Sequence, residues 1–113
     1  MMHVSDRHAV LLLSSAAVQM PFWSEFDVNE LAHALNGRPL AAVSKAALKK
    51  LGLMGNLDPL RLHCFLVDLE SRYHQNEYHC STHAADVVQG VFVFIVEVSY
   101  CLARCACALL QRM

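Results

Sequence analysis

The chain has 113 residues, room for one small domain. Nine Lys and Arg against ten Asp and Glu leave a formal net charge of −1, which excludes a nucleic-acid binder working through bulk positive charge. With 56% hydrophobic and 17% charged residues there is ample apolar surface to bury, so intrinsic disorder is excluded as well.

The run Ala9–Val18 has the length of a signal-peptide apolar region. Asp6 beside Arg7 removes the positive bias such a leader needs, and a helix over Ala9–Met20 is expected instead. Asp27 followed by Glu30 reads as a capping box, and Gly37 closes a short helix near 28–36. Pro39 fits a first helical position; Leu40, Val43, Ala47 and Leu51 follow at helical spacing, and Gly52 ends the segment. Asp58–Pro59 repeats the cap-then-proline signal. Leu62, Phe65, Leu66, Leu69 and Tyr73 then form one apolar stripe of a helix over 59–73. Arg61, Asp68, Glu70 and Arg72 fall on its other faces, with Asp68 and Arg72 spaced for an ion pair. A polar loop is expected over 74–80, with Ser81 or Thr82 capping the next helix.

From His83 onward local propensity favours strand, because VVQGVFVFIVEV is rich in β-branched and aromatic residues. The segment is long, lacks a turn signal and is apolar on every side, so a buried helix is predicted. Glu97 and Arg104 interrupt 87–110, and no uncharged run reaches the length of a spanning helix. A cytoplasmic protein without membrane contact is therefore expected, a membrane anchor over Val87–Leu110 being the competing reading. The five cysteines are odd in number, and Cys101, Cys105 and Cys107 crowd one apolar stretch. They read as reduced, buried small hydrophobes, with Cys64 and Cys80, rather than as a disulfide framework; no C-x₂-C zinc knuckle occurs.

Seven histidines are many for this length. His3, His8, His33 and His63 have no partner pattern and read as surface or boundary residues. His74, His79 and His83 cluster with Tyr78 and Asp86. His79 and His83 are four apart, and two arrangements are open. On one helix, both rings project from one face and can share a metal. If the helix starts between them, near Ser81, His79 lies on the preceding loop and can donate a proton beside a metal held by His83. Asp86 then sits in the first turn, where the helix dipole favours a carboxylate and where it can orient the His83 imidazole.

The run Tyr78-His79-Cys80-Ser81-Thr82-His83-Ala84-Ala85-Asp86-Val87 resembles the Y-H-N-x-x-H-A-x-D-V signature of the class I 3′,5′-cyclic nucleotide phosphodiesterases. Trp23-x-x-Phe26-Asp27-Val28, Gly37-Arg38-Pro39-Leu40 and Arg72-Tyr73-His74 extend the likeness, which covers about Trp23 to Gln89. The resemblance implies an all-α fold, a partial helical bundle corresponding to the first part of that family's catalytic domain. Residues 1–22 would then be an N-terminal extension and 23–113 a truncated catalytic domain. It implies that His79 is the general acid protonating O3′ of the cyclic phosphate, that His83 is a metal ligand, that Tyr78 binds substrate and that Asp86 supports the ligand from behind. It further implies zinc and magnesium in the intact family domain, and cyclic AMP or cyclic GMP as substrate, opened to the 5′-monophosphate.

Two departures accompany the likeness. The motif's asparagine is Cys80 here. The family's second metal motif, H-D-x-x-H, does not occur in the chain, nor do its later acidic ligand and purine-gripping glutamine. The metal site is thus incomplete, and the expectation is a catalytically inactive fragment. An alternative reading is a non-catalytic helical interaction module that associates with a full-length phosphodiesterase.

Overall fold

A computed structural model of the chain describes residues 27–112. The expected helix over Ala9–Met20, the extension 1–22, His3, His8 and the upstream Trp23 and Phe26 lie outside the described residues. Among those described, the chain is all-helical, with no strand: α1 (Val28–Ala34), α2 (Leu40–Lys50), a 3₁₀ turn (Met54–Asn56), α3 (Pro59–Ser71) and α4 (Ser81–Gln111).

α1 begins where the cap signal places it. The Asp27 carboxylate accepts the Asn29 and Glu30 N–H groups at 2.8 and 3.3 Å, satisfying two of the helix's unpaired donors. The helix ends two residues before the expected 36. Asn36 and Gly37 both take left-handed backbone, φ 56° and 80°, and Gly37 N–H donates to Ala32 C=O at 2.7 Å. Asparagine tolerates that region better than most residues, so the chain turns one step before its glycine.

α2 is the central helix, packing against both α3 and α4, while α1 packs against α4. Its expected apolar positions Leu40, Val43 and Ala47 are buried, and Leu51 packs at the edge. Pro39 is fully buried and occupies the cap rather than the first helical residue, a one-residue difference within the ambiguity of helix ends. Pro39 has no side-chain oxygen to offer the helix start, so that role passes to a residue far along the chain. Glu70 of α3 accepts the Leu40 N–H at 2.5 Å. At the other end, burial and the neighbouring Lys49 push the Lys50 ammonium below the usual lysine value.

α3 starts as expected, with the Asp58 carboxylate capping Leu60 and Arg61 N–H and Pro59 in the first turn. Asp68 and Arg72 form their i,i+4 pair at 3.1 Å on exposed side chains, worth no more than about 0.5 kcal/mol. The buried face differs from the expected stripe. Leu66 is buried and Leu62 and Leu69 half-buried, but Phe65 is 61% exposed and Tyr73 39%. Glu70, expected on a polar face, is buried instead. The helix meets its neighbours along the 62–66–69–70 line, which leaves Phe65 on the outer shoulder.

The core joins Val28 and Leu31 of α1, Leu40, Val43 and Ala47 of α2, and Ala85 and Phe92 of α4. Leu31 and Val43 are fully enclosed, each burial contributing about 1.5–3 kcal/mol. Only the proximal part of α4 takes part. Its buried residues are Ser81, Ala85, Gln89 and Phe92, Val96 packs at the core's margin, and every described residue after it is exposed. The expected burial on all sides is not met: the proximal half is buried along one face only, with Val87 and Val91 about half exposed, and the distal half is exposed all round. The cysteines are free as expected but not buried: Cys80 is half-buried, Cys64 is exposed on the outward side of α3, and Cys101, Cys105 and Cys107 are exposed because nothing packs on the distal part of α4. An 18-residue window of α4 has mean hydropathy 1.9 with none of it buried, so by length and composition this helix can cross a membrane.

Candidate functional site

α4 begins at Ser81, between His79 and His83. Of the two arrangements the spacing leaves open, the structure adopts the one with His79 on the preceding loop and His83 in the first turn. Cys80 is the N-cap, in extended conformation and with no side-chain cap hydrogen bond. A thiol is a weak acceptor, so the cap position lacks the oxygen that Ser, Thr, Asp or Asn supplies. Neither Ser81 nor Thr82 is the cap. Ser81 is the first helical residue, and its hydroxyl turns inward to donate to Glu70 at 2.5 Å.

The same Glu70 oxygen, Oε2, accepts both Leu40 N–H and Ser81 Oγ–H. One buried carboxylate thus ties α3 to the first residues of α2 and α4 and sets the position of the loop that carries His79. The N-termini of two helices also suit a negative charge there.

Tyr78, His79 and His83 form a ring cluster. Tyr78 stacks on His83 with centroids 4.4 Å apart and planes at 32°, and meets His79 edge-on at 5.0 Å and 85°. The two imidazoles are 6.5 Å apart at 78°. Two histidines sharing one tetrahedral zinc at Zn–N of about 2 Å need ring centroids about 5 Å apart, so these rings are not set for joint ligation. Stacking covers a face of His83 and leaves its ring nitrogens, which lie in the ring plane, open. Both imidazoles line one groove of about 420 Å³, walled by Leu40 and Ser44 of α2, Leu69 and Tyr73 from α3 and its end, and Val87 and Val88 of α4.

Asp86 is exposed and outside the groove lining, and no hydrogen bond joins it to His83 among the described residues. His74 borders a smaller cleft with Gly37, Arg38 and Glu70 instead. His63 contacts the Lys45 ammonium through Nδ1, a pairing that the sequence reading did not anticipate. Glu70 was also missed as a site-building residue. Its signal was its position four residues after Leu66, on the buried line of α3.

Among the described residues, no group of three or more His, Cys, Asp or Glu side chains converges to hold a metal. A catalytic zinc normally takes three protein ligands. The residues present therefore do not by themselves fit the zinc and magnesium that the resemblance implies. No family model matches the chain, and no solved structure matches it.

Proposed function

We propose that the groove is the proton-donating part of a 3′,5′-cyclic nucleotide phosphodiesterase site, carried by a chain that does not complete the catalytic centre. In this reading His79, in its protonated form, hands a proton to the departing O3′ of the cyclic phosphate. Tyr78, expected to bind substrate, packs against both imidazoles and holds them but does not itself line the groove. His83 offers one ring nitrogen as a ligand, while Asp86, three residues on along the same helix, points to solvent and makes no hydrogen bond to it. The observation that carries the reading is the start of α4 between the two histidines, which puts one imidazole on a loop and the other on a helix, both facing one groove.

The test has two parts. The purified chain with magnesium is expected to show no turnover of cyclic AMP or cyclic GMP; metal-dependent hydrolysis would overturn the proposed incompleteness. Titration with millimolar cyclic AMP is expected to move the His79 and His83 imidazole resonances, with the response lost in His79→Ala. Resonances that stay put would remove the groove as a nucleotide site.

The alternative, a helical module docking on a full-length phosphodiesterase in the cytoplasm, is favoured by the outward Phe65 and Leu60 of α3, 61% and 71% exposed. Its mark is co-purification with such an enzyme that is lost in Phe65→Glu.

A further inference from the structure

Around its circumference α4 has three sides about a third of a turn apart. One holds Ala85, Phe92 and Val96 against the core. A second carries both charges of the distal half, Glu97 and Arg104, seven residues apart and so within about 20° of each other. The third consists of Val91, Ile95, Val98, Leu102, Cys105 and Leu109, at alternating intervals of four and three. Intervals of four and three are the spacing of a coiled-coil seam. The six lie within about 80° of arc, carry no charge and are all exposed, the five aliphatic ones from 39% at Val98 to 66% at Leu102.

We infer that this seam pairs with the same seam of a second copy of the chain, forming a two-helix interface about a two-fold axis. An uncharged apolar stripe is self-complementary, so the same six residues serve both partners. The core lies about 120° away round the helix and leaves the approach open. Beyond Val96 α4 protrudes without core contacts for about 22 Å, a length of helix that in water is marginal without a packing partner.

A lipid bilayer is the competing cover, and length does not separate the two, because α4 as a whole is long enough to cross about 30 Å of hydrocarbon. Charge does separate them. Insertion carries Glu97 and Arg104 into hydrocarbon, where an unpaired charge is costly. Pairing through the opposite side leaves both in water.

Sedimentation equilibrium of the full chain under reducing conditions, where no cysteine can crosslink, is expected to give twice the monomer mass at micromolar concentration. Leu102→Glu and Leu109→Glu are each expected to weaken association at least a hundredfold. Their far-UV spectra at dilutions where the parent is also monomeric should match it, since both side chains are already more than 60% exposed in the single chain. Tyr100→Glu, on the side away from the seam, should leave association unchanged. A parent chain monomeric at every concentration overturns the inference, as does a dimer indifferent to both seam substitutions. Flotation of the monomer with phosphatidylcholine vesicles assigns the face to lipid and overturns it too.

Discussion

Glu70 shows how much one side chain can hold in a small helical protein. Its carboxylate takes the Leu40 N–H and the Ser81 hydroxyl away from water. Removing it strands two buried donors, so Glu70→Ala is expected to cost about 3 kcal/mol in urea denaturation, and Glu70→Gln, which keeps an oxygen, less. At the start of α4 the opposite change is available. Cys80→Asn supplies an acceptor at a cap position that has none and is expected to add about 0.5–1 kcal/mol by the same measurement. It also places there the residue found at that position of the phosphodiesterase signature that the run resembles. The Asp27 and Asp58 caps were legible in the sequence because donor and acceptor lie within three residues. Glu70 was not, because its partners lie 30 and 11 residues away and only the tertiary arrangement brings them to it. His79 and His83 were legible as a pair from their spacing, whereas the groove they face was not, since α2 and α3 build much of its wall.

Among the elements, boundaries followed local chemistry and buried faces did not always. α2 turned the expected residues inward, while α3 buried Glu70 in place of Phe65. An apolar stripe predicts that a helix has a buried side, but the centre of that side is fixed by neighbouring helices. α4 is helical against the strand preference of its β-branched run. Leu31→Ala, in the enclosed end of α1, is therefore expected to cost about 3 kcal/mol by thermal denaturation. Leu60→Ala, 71% exposed on α3, should stay within about 0.5 kcal/mol. Equal losses at the two sites would contradict the packing described for them.

The described residues are extended, at 56 × 30 × 29 Å, with a radius of gyration of 16.3 Å against about 12–13 Å for a compact chain of similar length. Composition signalled the excess of apolar surface but not its location, which depends on where packing stops along α4. Where the chain is monomeric, amide exchange on α4 is expected to be slow through Phe92 and orders of magnitude faster beyond Val96. Uniform protection along α4 in the monomer would contradict that division.

A straight helix rooted at one end acts as a lever. With its fulcrum near Val96 and its tip about 22 Å away, a tilt of about 5° at the root carries the tip about 2 Å. His83 stands on the short arm, so a small rotation that accommodates something in the groove is magnified at Cys105 and Cys107. A spectroscopic label on either thiol would read, from a distance, what happens beside the imidazoles.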